Sequence, residues 1–306
     1  MSELLSSDSS AHVTVLRGET LEYLAIRPEG LYVDCTAGGG GHSEAIAEQL
    51  TAGRVLALDR DPAAVSLAAQ RLARFGPKAI VRQSAFSGLS AAVKEFGGEF
   101  NGGFVDGIMA DLGMSQMQLD DSSRGFSFAA EGQLDMRMDP AQSLTAAEVV
   151  NHTDERELAR VIYEYAEERR SRRIANVIVR NRPFHTARQL AGVIERAVSA
   201  PRHSWKHHRI HPATLTFQAL RIFVNDELGE LESLLAQAPA LTRPGARMVV
   251  ISFHSGEDRV VKNTFRRWQA EGLFRVLTKH VIRPSDAETA DNPRARSAKL
   301  RCAERI

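Results

Sequence analysis

Several things are scarce in this chain, and each scarcity closes a door. There are two cysteines, Cys35 and Cys302, with no metal-ligand spacing around either. They argue against a disulfide framework, a thiolate metal site or an oxidising compartment. No stretch approaches the roughly 18 consecutive apolar residues that a membrane helix needs. The opening "MSELLSSDSSAH" lacks a basic region followed by an apolar run, so a secretory signal is not expected. A cytoplasmic location is the resulting expectation. No internal repeat interrupts the 306 residues, and 43% hydrophobic with 25% charged residues is the balance of a soluble globular protein of one large or two ordinary domains.

Net charge is also small, +1, but it hides an asymmetry. Between Arg169 and Arg209 stand eleven Lys or Arg and a single acidic residue, Glu195, which leaves 28 basic and 37 acidic residues elsewhere. A basic segment on an acidic body suits a polyanion-binding surface, although a solvated Arg-rich helix face has the same composition. Within it, His203, His207, His208 and His211 are interleaved with Arg202, Trp205, Lys206 and Arg209. That spacing is no strong zinc signature. An RNA-contacting segment, with Trp205 as a stacking face, and a plain solvated loop both remain open.

What is present has the rhythm of an α/β protein. Short apolar runs at 31–33, 55–58, 79–81 and 107–110 are each followed by polar or Gly-rich stretches, mostly helix-compatible. Uninterrupted apolar strands alternating with helices predict a parallel sheet covered on both faces. From about 116 to 213 the strands vanish. The spacing predicts one helix over 153–181 and another beginning after Thr186, which has capping-box spacing to Gln189. Phe217 to Leu235 keeps helical spacing, closed by Pro239 and "RPG" at 243–245. Buried-strand patterns return at 248–251, 274–277 and 298–302. The simplest organisation is a sheet domain in two parts, 1–115 and 214–306, interrupted by a helical insert at 116–213.

"DCTAGGGGH", residues 34–42, falls between the first strand and a following helix. A Gly-rich turn there lets a ligand approach the helix N-terminus. A phosphate-cradling NTPase loop needs Lys and then Ser or Thr after the last glycine, but His42 and Ser43 follow Gly41. A dinucleotide turn fits less well, because G-x-G-x-x-G counted from Gly38 would need glycine at Ser43. Asp34 is expected to repel a pyrophosphate and to favour a ligand with a cationic end, such as S-adenosylmethionine. Asp59, at the end of the second strand, suits the two hydroxyls of a ribose, while Asp61 is the better helix cap. An NAD-dependent oxidoreductase and a non-catalytic RNA-binding protein remain as alternatives.

The segments "HVTVL", "DCTAGGGGH", "ALDRDP", "DGIMADLG", "QLDDSSRGFSF", "LDMRMD", "HPATLTFQALRIFVN", "ISFHSGEDR" and "NPRARSAKLR" together resemble the bacterial RsmH (MraW) family, over His12 to Arg305. The resemblance implies a Rossmann-like S-adenosylmethionine-dependent methyltransferase sheet carrying an inserted all-helical domain. It implies methylation of the exocyclic 4-amino group of a cytidine in the decoding region of small-subunit (16S) ribosomal RNA. The partner it implies is that RNA or the maturing small subunit. Carried over by motif, the cofactor-binding positions are Gly40, Gly41, His42, Asp59, Phe86, Asp111 and Gln118, with Asp111 also the expected catalytic residue. No metal is implied. The chain departs from the family pattern at Met114 and Gln116, where "VSS" usually follows "DLG", at Leu215, where Arg is common, and at Gly256, where Leu is usual.

Overall fold

The computed structural model describes residues 14–97, 103–128, 131–198 and 211–306. The opening stretch and the 202–209 cluster, with His203, Trp205, His207 and His208, lie outside the described residues. Among the described residues seven strands form one sheet: β1 (Leu31–Asp34), β2 (Arg54–Asp59), β3 (Ala79–Gln83), β4 (Val105–Asp111), β5 (Thr242–Ser252), β6 (Phe274–Val276) and β7 (Lys299–Arg305). Their order is β3-β2-β1-β4-β5-β7-β6. The first five are parallel, and β7 runs against both of its neighbours.

Alternation along the strands sorts side chains onto two faces. Leu31, Val33, Ile108, Ala110, Met248 and Val250 point toward α4 (Leu89–Gly97), α11 (Glu227–Leu241) and α12 (Ser255–Ala270). Tyr32, Met109, Val249 and Ile251 point the other way, toward α1 (Arg17–Leu24) and α2 (Gly41–Gln49). The small α3 (Pro62–Leu72) contributes Ala68 and Leu72 against Ala57. Both faces are therefore covered, which explains why the strands read as continuous apolar runs.

A separate core serves the helical region. It joins Leu134 with residues of α6 (Ala146–His152), α7 (Glu155–Ala166), α8 (Ser171–Arg180) and α9 (Ala187–Val198). Phe217, Leu220 and Val224 of α10 (Thr214–Asn225) belong to it as well. The apolar face of α10 thus packs on the helical side, beyond the boundary drawn at 213.

Three helical expectations need correction. The span 153–181 is broken: Asp154 caps α7 through the Arg156 and Glu157 N–H groups, and Glu167, at φ 54°, ends it in the left-handed region. Asp226, at φ 47°, likewise separates α10 from α11. Pro239 does not end α11, which continues to Leu241, where the Thr242 hydroxyl donates to the Ala238 carbonyl at 2.8 Å. "RPG" lies inside β5 instead, at an irregularity where the pairing jumps from Val105↔Thr242 to Gly107↔Arg247. The capping box before α9 forms as expected, with Thr186 and Gln189 each accepting the other's N–H.

Candidate active site

The tips of β1, β2, β3, β4 and β5 open into one cleft of about 1330 Å³, counted to its open mouth. This is the carboxyl edge of a parallel sheet, where such folds place their ligands.

The glycine loop forms the floor. Gly40 caps α2 at φ 83°, a conformation that a side chain would strain, and a Cβ on Gly41 would come 2.1 Å from the Thr14 hydroxyl. Gly38, Gly39, Gly41 and His42 line the cleft, whereas Gly40 turns toward Ala68 and Arg71. Asp34 is corrected here. It is fully buried behind the loop, accepting from the Thr36 N–H at 3.0 Å and the Ser43 hydroxyl at 2.6 Å, and it does not line the cleft. Burial raises its carboxyl above the usual range despite nearby His42. Its work is to pin the loop to α2. The sequence shows a carboxylate after a strand but not which way it turns.

Asp59 does face the cleft. Its Oδ2 accepts the Gly38 N–H at 2.8 Å and its Oδ1 the Asp61 N–H at 2.9 Å. A carboxylate offers about four acceptor positions, so ribose hydroxyls can still be received. Burial pushes its carboxyl up to about 6, with those two N–H groups opposing. Phe86 lies at the tip of β3 as an aromatic wall, its carbonyl held by Gln237 Nε2 at 2.9 Å.

At the tip of β4, the Asp111 N–H donates to the Thr36 hydroxyl at 2.6 Å, leaving the side chain toward the cleft. Its Oδ2 lies 3.7 Å from His42 Nε2. Asp111 Oδ1 and both His42 ring nitrogens are buried without a hydrogen-bond partner among the described residues. Unsatisfied buried polar atoms are costly, about 1–3 kcal/mol each, and three meeting in one cleft fit a polar, charge-bearing ligand. It is Asp111, rather than Asp34, whose charge would repel a pyrophosphate here.

Gln118 also lines the cleft, but its polar atoms have internal partners: Nε2 donates to Asp61 Oδ2 at 2.8 Å, and Oε1 accepts the Ser115 N–H at 3.0 Å. Asp61 caps α3 as expected, through the Ala63 N–H. Sequence reasoning missed its larger role. It is wholly buried and receives Arg124 Nη1 at 2.5 Å, 63 residues away. Without such partners a buried carboxylate would cost about 3–5 kcal/mol.

Phe253 and Glu257, following β5, complete the far wall with Met114, Gln116, Glu227 and Glu230. Glu227, His254 and Glu257 bring three potential metal-ligating atoms within 4.8 Å of one another. The two carboxylates are already engaged. Arg221 grips both Glu227 oxygens, and Glu257 Oε2 accepts from the Phe253 and His254 N–H groups. His254 Nδ1 accepts the Glu257 N–H at 3.4 Å, and its Nε2 lies 3.2 Å from Glu257 Oε1. Burial opposes the Glu257 charge, yet His254 and Arg221 outweigh it and hold the carboxyl below its usual range. Gly256 leaves space for this histidine, since a Cβ there would sit 3.1 Å from its ring. His211, the one described member of the histidine cluster, stacks on Phe128 at 4.7 Å and accepts the Ala213 N–H at 3.2 Å just ahead of α10.

A Rossmann-like sheet with a glycine loop, a cleft-facing carboxylate and an aromatic wall at adjoining strand tips defines an S-adenosylmethionine-dependent methyltransferase. The chain belongs to the MraW methylase family, whose model matches residues 9–306. Ribosomal RNA small subunit methyltransferase H of Solibacter usitatus is 52% identical over 293 residues, covering 96% of this chain and 99% of that protein. The protein of the same name from Geobacter sulfurreducens is 48% identical over 316 residues, covering 97% and 99%. Among solved structures, an rRNA methylase from Streptococcus thermophilus aligns with 97% of this chain and 99% of its own at 10% identity and a TM-score of 0.45. No helix of the described residues is long and apolar enough to cross a membrane.

Proposed function

We propose that this chain methylates small-subunit ribosomal RNA at the exocyclic 4-amino group of a cytidine in the decoding region. The relatives' shared name supports the RNA class. The unpartnered Asp111–His42 pair is the observation that carries the amine chemistry. On this reading, residues 1–115 and 214–306 form the methyltransferase part. The helical insert at 116–213 recognises the RNA, either free or in the maturing subunit, in the cytoplasm.

A cytosine amine is a poor nucleophile because its lone pair is drawn into the ring. When bound, S-adenosylmethionine supplies the methyl on a positively charged sulfonium. Asp59 would hold its ribose, Phe86 would lie against its adenine, and the N–H groups of Gly41 and His42 would meet its amino-acid end, while the Gly40 N–H is taken by the Ala37 carbonyl at 2.6 Å. Asp111 Oδ1 accepts an amine hydrogen, aligns the nitrogen and takes the proton it sheds on methylation. His42 faces the other oxygen of that carboxylate and limits its rotation.

Mapping N4-methylcytidine in small-subunit ribosomal RNA from cells with and without this chain tests the substrate, and an unchanged map would refute it. Asp111→Asn should bind S-adenosylhomocysteine but lose about 100-fold in single-turnover methylation. Undiminished turnover would remove Asp111 from the chemistry.

A further inference from the structure

The turn Asp59-Arg60-Asp61 divides its labour. Asp59 and Arg60 line the cleft, and Arg60 and Asp61 reach into the helical region. Asp61 donates its N–H to Asp59 Oδ1, and its own carboxylate is held by Arg124 and Gln118. Arg124 in turn donates through Nη2 to the carbonyls of Arg137 (2.7 Å) and Met138 (2.8 Å). Arg60 donates to the Asn225 carbonyl at 2.7 Å and to Gln142 Oε1 at 3.1 Å. Asn225 closes the circuit, accepting the Met138 N–H at 2.7 Å and donating to the Met136 carbonyl at 2.7 Å. Each link is a short polar contact, three of them buried and the rest partly buried.

We propose that Arg124 and Arg60 are positioning residues for the cofactor. Acting through Asp61 and the turn backbone, they set the ribose-facing carboxylate of Asp59 according to the placement of the 136–142 strap. Cofactor binding and the helical region are thereby energetically coupled. Because the strap belongs to the part assigned to RNA recognition, this coupling rests on the RNA reading above, while the positioning of Asp59 does not. Coupling between two binding sites is reciprocal. S-adenosylhomocysteine therefore tightens the hold on small-subunit ribosomal RNA by the same factor as the RNA tightens the hold on S-adenosylhomocysteine.

Calorimetry with S-adenosylhomocysteine on the full chain tests the positioning. Arg124→Lys keeps a charge for Asp61 but cannot also reach both carbonyls, and it should weaken binding about tenfold, a typical coupling factor. In turnover it should raise KM for S-adenosylmethionine with little change in kcat. Arg247→Lys is the control: it is another guanidinium paired to a carboxylate (Glu304) and a carbonyl (Tyr23), remote from the turn. It should lower the melting temperature without changing affinity. Wild-type affinity in folded Arg124→Lys, or an equal loss in Arg247→Lys, would overturn the proposal. RNA titrations with and without S-adenosylhomocysteine test the coupling, expected as a several-fold tightening that shrinks toward one in Arg124→Lys. Equal tightening in both proteins would sink it. No RNA binding by either would count against the RNA reading, with the cofactor titration still deciding the positioning.

Discussion

The strand tips and the helical region handle charge in opposite ways. At the tips polar groups converge: the buried His42 and the partly buried Asp59 and Asp111 face one cleft, two of the three with atoms left unpartnered. In the helical region the charges are many and exposed, and much of their pairing is local, as between Arg160 and both Glu157 and Glu164. Arg172 and Arg173 stand exposed on α8. A small ligand is recognised by a few desolvated groups at fixed positions, whereas a polyanion is held by numerous solvated ones. Single substitutions should therefore be severe at the tips and graded on the helices.

Asp59 offers the sharpest break. Asp59→Ala removes the proposed acceptor for the ribose hydroxyls and strands the Gly38 and Asp61 N–H groups, so affinity for S-adenosylhomocysteine should fall by about 100-fold. Its titration refines the point. In the free protein this carboxyl is raised to about 6, and on the proposed reading ribose hydroxyls donate to its charged form. Ligand binding therefore lowers its pKa and releases a proton, so affinity rises with pH through this window. Between pH 7 and pH 5 calorimetry should show a loss of about tenfold, set by the fraction deprotonated. Asp34 and Asp61 nearby add to the upward push on Asp59. Asp59→Asn should flatten the pH dependence. A slope kept in that variant would assign the titration to another group.

On the helices the proposed RNA surface predicts a milder effect. Arg172→Glu with Arg173→Glu should weaken binding of small-subunit ribosomal RNA about tenfold at physiological salt. The slope of log affinity against log salt should become shallower by about 1.4, the value for two fewer phosphates neutralised on a single strand. Cofactor binding should survive. An unchanged slope would move the RNA contact away from α8.

The same contrast explains what is legible in the sequence. The strands are legible because both sheet faces are covered, giving apolar runs such as Val55–Leu58. Asp59 and Phe86 are legible by motif, because each follows its strand directly into the cleft. Asp34 misleads because Ser43, nine residues later, captures its side chain behind the loop. The breaks at Glu167 and Asp226 give no signal, since neither is the glycine that usually marks a left-handed residue. The bond from Arg124 to Asp61 spans 63 residues, and no local pattern encodes such a pair.

Leu215 sets the smallest effect, and it probes how graded the helical surface is. It is an exposed apolar residue, 36% accessible near the start of α10, where the family pattern commonly has Arg. Its side chain is not buried, so restoring the cation should leave folding alone. On the proposed RNA reading, Leu215→Arg adds one phosphate contact on a surface that already has many. Affinity for small-subunit ribosomal RNA should rise about threefold, and the salt slope should steepen by about 0.7. Because α10 packs its opposite, apolar face into the helical core through Phe217 and Leu220, the melting temperature should stay within a degree or so. A tighter complex with no steeper slope would mean the new side chain acts through shape rather than charge, and it would place this end of α10 outside the polyanion surface.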